Sequence, residues 1–180
     1  MRHRFFFRNV SIRGCLVLAA GLLFSACVSQ QQVVVGISRA LSSNDALYPT
    51  IEVDVFAVSD EDLGAIKDAG VETYFAPNSG FREKLNPRTF FFSEEQTKPQ
   101  VLVSRAELWR RWLEKDPSTL VVIAGLPHDP DMPAAPAPDP RILTFPIKKR
   151  VIFAPKVYVL VEPKKIVQVK KAPANPKDGL

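Results

Sequence analysis

The sequence predicts a mainly β fold: a two-layer β-sandwich with one or two short helices. Three observations predict it. Short runs rich in β-branched and aromatic residues recur with turn formers between them, from Val33 to Val169. The run Ile51-Glu52-Val53-Asp54-Val55 alternates apolar and acidic side chains, the period of a strand with one face on a core. Leu120-Val121-Val122-Ile123-Ala124 is continuously apolar between Pro117 and Gly125, which suits a strand buried on both faces.

The elements follow in order. Val33-Val34-Val35-Gly36-Ile37-Ser38 reads as the first strand. Leu41 to Pro49 reads as a loop, rich in Ser, Asn and Asp and closed by proline. Residues 51–58 form the clearest strand, with Glu52 and Asp54 turned away from the core. Ser59 caps a helix over residues 60–69, with Asp60, Glu61 and Asp62 in its first turn offsetting the helix dipole and Gly70 ending it. Residues 71–75 read as extended, and Asn78-Ser79-Gly80 as a turn. Residues 89–92 and 99–103 are short β segments; one ring of Phe90-Phe91-Phe92 must lie on the other face of its strand. Ser104-Arg105-Ala106-Glu107 has the capping-box spacing. The helix it starts, to Lys115, puts Trp109, Trp112 and Leu113 on one face before Asp116-Pro117 stops it; strand plus turn over Val101 to Leu113 is the alternative. Residues 127–140 hold six prolines and three Asp and read as a surface loop. Residues 142–145, 151–153, 156–161 and 165–169 are closing strands, and residues 170–180 a disordered basic tail.

The N-terminus carries a different signal. Arg2, Arg4, Arg8 and Arg13 precede the apolar run from Cys15 to Phe24, and the small residues Ser25-Ala26 follow. A basic head, a short apolar core and small residues describe a secretory signal over residues 1–26. The core is too short to span a bilayer comfortably, which takes about 20 residues. Cys27 directly after Ser25-Ala26 resembles the lipobox of bacterial lipoproteins, with Phe24 where those proteins usually carry Leu. That resemblance implies cleavage before Cys27 and fatty acyl chains such as palmitate on it, a covalent lipid and no other cofactor. Residues 27–32 then form the lipidated cysteine and a polar tether, and Val28 in place of Asp implies the periplasmic face of the outer membrane.

Removing the leader changes the charge. Four of the 24 Lys and Arg lie before Cys27 and none of the 19 Asp and Glu do, which leaves 20 basic against 19 acidic side chains. Such a balance does not point to nucleic acid. With Cys15 cut away and Cys27 acylated, neither of the two cysteines remains for a disulfide, a metal or a nucleophile.

Catalytic chemistry is poorly provided for. After the leader the one histidine is His128, between Pro127 and Pro130, and a triad needs an imidazole on a rigid element. His128, Asp129 and Asp131 lack the second imidazole or thiol that makes a firm metal site. Glu94-Glu95 and Glu107/Glu114 offer carboxylates of the kind glycoside chemistry uses, though acids on polar loops are usually solvated. The expectation is no enzyme and no small-molecule substrate. The basic residues Lys148-Lys149-Arg150, Lys164-Lys165 and Lys170-Lys171 suit either anionic headgroups or the protection of strand edges.

The order of elements from Val33 onward resembles the outer-membrane lipoprotein of type VI secretion systems, the TssJ family. The likeness rests on the strand Val33 to Arg39, the loop with Asn44-Asp45, Pro49, the strand Ile51 to Asp60, the Val121-Val122-Ile123-Ala124 strand, and closing strands 142–145 and 166–169. It departs in lacking a Pro-Gly turn before residue 121, in the long proline segment and in the basic tail. The resemblance implies a transthyretin-like sandwich over residues 33–169 with no catalysis. It implies a partner, the periplasmic domain of an inner-membrane core protein resembling TssM, bound by the loop Leu41, Ser42, Ser43, Asn44, Asp45, Ala46, Leu47 and Tyr48. Leu41, Leu47 and Tyr48 suit apolar anchors, and Ser43, Asn44 and Asp45 a polar rim. A different envelope lipoprotein, acting as a cell-wall or assembly-associated binding factor through its basic end, is the alternative.

Overall fold

The computed structural model describes residues 30–42, 50–128, 138–147 and 155–178. Among these residues eight strands form two four-stranded sheets packed face to face. One sheet runs β4 (Gln100–Leu102), β1 (Gln32–Ile37), β7 (Lys156–Val161), β8 (Ile166–Val169). The other runs β3 (Arg88–Phe92), β2 (Ile51–Val58), β5 (Thr119–Ala124), β6 (Ile142–Pro146). Every pairing is antiparallel except β1 with β7, which run parallel from Gln32↔Lys156 to Ile37↔Val161.

The core lies between the sheets. Val33, Val35, Val157, Val159 and Ile166 of the first sheet meet Val53, Val55, Phe90, Phe92, Leu120 and Val122 of the second. Strand alternation accounts for this set, since members that share a strand stand two residues apart, and Ile166 pairs with Val161, two residues beyond Val159. Phe91, on the opposite face from Phe90 and Phe92, is 51% exposed.

The outer face of the second sheet is covered as well. Helix α1 (Arg39–Ser42) follows β1, and α2 (Asp60–Phe75) and α3 (Gly80–Leu85) follow β2. Ser59 caps α2 as expected, its Oγ accepting from Asp62 N at 3.2 Å. Two readings of this region need correction. Residues 71–75 are helical, not extended: Gly70 breaks the helix at φ 78°, and the chain then turns back into helix. Its Val71 and Tyr74, three apart, pack inward. Asp54 does not face water: the helices bury it completely.

Helix α4 (Glu107–Leu113) fills one end of the sandwich, with Trp109 and Trp112 edge to face at 5.2 Å and both buried. It begins two residues later than the capping-box reading, with Ala106 at the N-cap and no side-chain cap, so the box does not form.

The ends of the chain differ from expectation too. Gln30 and Gln31 are buried rather than part of a loose tether; Gln31 Nε2 donates to Pro146 O at 3.2 Å. Residues 170–178 are not a loose tail but a strap across the outer face of the first sheet. Pro176 is buried, Thr97 Oγ1 donates to Asn175 Oδ1 at 2.9 Å, and Lys177 Nζ donates to Glu94 O at 2.6 Å. Gly36 lets the strap approach, because a Cβ there would stand 2.4 Å from Pro173 Cβ. Residues 151–153, read as a strand, lie outside the described residues.

Candidate functional site

The two ends of the sandwich carry different features. At the near end, where β1 starts, lie Gln30, Pro146, Ser118 and helix α4; Ile147 N donates to Ser118 O and Gln32 N to Pro155 O, both at 2.9 Å. At the far end, about 17 Å along β1, the chain leaves β1 and crosses to β2 in the other sheet. The crossing is the expected docking loop. Its entry is firmly held: Ser38 N donates to Val161 O at 2.8 Å, and Leu41 N to Ser38 O at 3.1 Å. Leu41 is only 7% exposed and belongs to the core, so it secures the loop entry instead of offering an anchor. Ser42 ends α1, and residues 43–49, with Asn44, Asp45, Leu47 and Tyr48, lie outside the described residues, as does Cys27.

A second connection leaves the same end, between the neighbouring strands β5 and β6 of one sheet. Gly125 N donates to Glu52 O at 2.8 Å, which carries the β2–β5 pairing one residue past the end of β5. Both feet of the proline segment then meet at Arg141, whose side chain is 2% exposed. Its Nε and Nη2 donate to Asp139 at 2.9 and 2.7 Å, and its Nη1 donates to Glu72 Oε1 at 2.6 Å and to Leu126 O at 3.1 Å. His128 Nδ1 stands 3.9 Å from the same Glu72 oxygen. The Arg141 guanidinium holds the Glu72 carboxyl below its ordinary range. Burial pushes the Asp139 carboxyl up, but hydrogen bonds from Arg141 outweigh it and the net shift is downward. Hydrogen bonds to Asp139 raise Arg141 in turn. Sequence reasoning missed this clamp; Asp139 and Arg141 on either side of Pro140 were its only local trace.

A third polar group sits under the helices. Tyr74 Oη and Arg82 Nε each donate to Asp54 Oδ2 at 2.8 Å, and Arg82 Nη2 also donates to Glu52. Arg82 lies 5.1 Å over the Phe75 ring. Burial, then the Asp54 charge, pushes the Tyr74 phenol up. Burial works against the Arg82 cation, yet its hydrogen bonds to Asp54 and Glu52 leave it raised. Together these bonds fasten α2 and α3 to the sheet.

The candidate catalytic acids are not brought together. Glu94 and Glu95 are exposed on the β3–β4 loop, and Glu107 at the other end of the sandwich accepts from Arg110 and Arg111, each at 3.2 Å. Among the described residues no three His, Cys, Asp or Glu side chains group as metal ligands, and no helix is long and apolar enough to cross a membrane.

No family model and no curated protein matches this sequence. Solved structures do. The chain is similar to the Serratia marcescens protein Lip, a membrane bound component of the type VI secretion system, over 80% of this chain and 99% of that one, with TM-score 0.52 and 17% identity. It is similar to a chain in the structure of the TssM C-terminal domain from EAEC over 77% of this chain and 99% of that one, with TM-score 0.50 and 8% identity. It is also similar to a chain of a type VI membrane complex, over 79% of this chain and 99% of that one, with TM-score 0.50 and 7% identity. At such identities the likeness is one of architecture, and the chain has the two-sheet sandwich fold of the type VI secretion component Lip.

Proposed function

We propose that this chain is a TssJ-like lipoprotein of a type VI secretion membrane complex. It is anchored by fatty acyl chains on Cys27 in the periplasmic face of the outer membrane. It has no catalytic task and binds, through the loop that follows core residue Leu41 (residues 42–48), the periplasmic domain of a TssM-like inner-membrane partner. The observation that carries this reading is the agreement of two independent signals. The Lip fold spans 80% of the chain, and the lipobox-like Ser25-Ala26-Cys27 stands immediately before the sandwich. The location of the loop supports it: β1 separates the anchor from the crossing, so a partner can reach one without meeting the other.

Two experiments test the proposal. Cys27→Ser is expected to move the protein from the membrane fraction to the soluble one; retention in the membrane argues against acylation. Replacing residues 42–48 by a Gly/Ser segment of equal length, with core residue Leu41 kept, is expected to abolish co-purification of the inner-membrane partner. Undiminished co-purification would refute the loop assignment.

A further inference from the structure

A groove of about 550 Å³ opens at the near end of the sandwich, between Gln30 and helix α4. Ala106, Trp109 and Leu113 form its apolar wall, Arg105 and Arg110 its basic rim, and Glu114 one edge. Trp109 is 2% exposed, and its indole N–H has no acceptor among the described residues. Gln30, itself part of the wall, is 6% exposed and thus fixed to the body. Cys27 is three residues upstream, and three extended residues span about 11 Å at most.

We propose that this groove is the membrane-facing seat of the protein and is occupied by phospholipid headgroups of the bilayer holding Cys27. The inference rests on acylation of Cys27. Acyl chains enter the hydrocarbon region, so Cys27 lies at the headgroup level. A leash of about 11 Å then holds Gln30, and the groove it lines, within the headgroup layer or just above it. The chemistry of the groove suits that position. Arginine rims meet phosphate oxygens with paired donors, and the half-buried Ala106 and Leu113 place apolar surface beside them. Because β1 runs from Gln32 at this end to Ile37 at the other, the seat also sets the orientation of the body, with the β1–β2 crossing and the proline segment turned away from the bilayer.

The test uses the full acylated protein in vesicles of phosphatidylethanolamine and phosphatidylglycerol that carry a nitroxide on the headgroup. With Cys27 blocked by its thioether, Arg111→Cys and Glu94→Cys each introduce a single reactive thiol for a fluorophore; both positions are exposed, one at each end of the sandwich, and neither lines the groove. The expected result is quenching at 111 and none at 94. Equal quenching at both, or quenching at 94 alone, overturns the orientation. Arg105→Glu in the 111-labelled protein is expected to remove most of that quenching, and unchanged quenching overturns the role of the rim. Protein that stays in solution, with a thiol still reactive at Cys27, removes the acylation reading and this inference with it. Membrane-bound protein with an unquenched 111 label removes this inference alone.

Discussion

Replacing Arg141 by methionine should open the feet of the proline segment without emptying the core. The side chain is 2% exposed and makes four contacts: two to Asp139, one to Glu72 and one to Leu126 O. Breaking a fully buried ion pair costs about 3–5 kcal/mol. Here the partners are less buried, with Glu72 62% exposed and Asp139 25%, so water takes over part of their solvation once the guanidinium is gone. The stranded Leu126 carbonyl adds about 1 kcal/mol. The expected loss is therefore about 2–4 kcal/mol at pH 7, or roughly 5–10 °C in Tm for a domain of this size. The acid dependence provides the stricter test. Both carboxyls are held below their ordinary values of 4.5 and 3.8. A lowered folded-state value gives stability that is complete above the ordinary value and disappears as pH falls through the folded one. Urea unfolding of wild type and variant should thus show a constant gap from pH 7 to pH 5 that narrows steadily below 4.5. A gap under 1 kcal/mol at pH 7, or one independent of pH, would refute the clamp as the origin of the effect.

Three further perturbations follow from the geometry. Gly36→Val would put a side chain into Pro173 and should lift the strap, so residues 172–178 become open to proteolysis while the unfolding midpoint falls modestly, by about 1–2 kcal/mol equivalent; a strap still protected would show that it adapts. Tyr74→Phe removes a 2.8 Å donor to the buried Asp54 carboxylate and should cost about 1.5–3 kcal/mol in urea unfolding at pH 7, with a loss under 0.5 kcal/mol counting against a closed polar group. Trp112→Phe loses the indole donor to Asn86 O at 3.2 Å together with buried aromatic surface, and a loss of about 1–3 kcal/mol in the same assay is expected.

The strands were the legible part of the sequence. Runs such as Val33-Val34-Val35 and Leu120 to Ala124 state their own conformation, because β-branched side chains suit a pleated, buried surface. What covers a strand is less visible. Glu52 and Asp54 suggested a wet face on β2, yet Phe56 and Val58 share that face and are buried, which is the sign that helices lie over it. Gly70 was a true break, but a break does not say what comes next: Val71 and Tyr74 at helical spacing carried that information against the local preference of Val and Thr for extended backbone. Ser104 to Glu107 had the spacing of a cap without its geometry, because α4 starts where Trp109 and Trp112 can enter the end of the sandwich. The strap was illegible for a similar reason. Its Pro and Lys content suits a loose chain, and only tertiary contacts, with Gly36 making room, hold it down. Of the candidate site, the crossing could be located from the order of strands. The inward placement of Leu41 could not, since a leucine in a loop reads alike whether it faces the core or water.

The parallel pairing of β1 with β7 also has a mechanical meaning. A pull applied between the start of the chain and the β1–β2 crossing passes lengthwise through β1, and the strand is gripped on both sides, by β7 along all six residues and by β4 along three. Because β1 is already extended, its covalent backbone carries such a load, and neither ladder is unzipped rung by rung. A protein pulled at these two points resists extension far better than its modest size suggests, while the same force applied across β8, at the sheet margin, would peel one strand from a single neighbour.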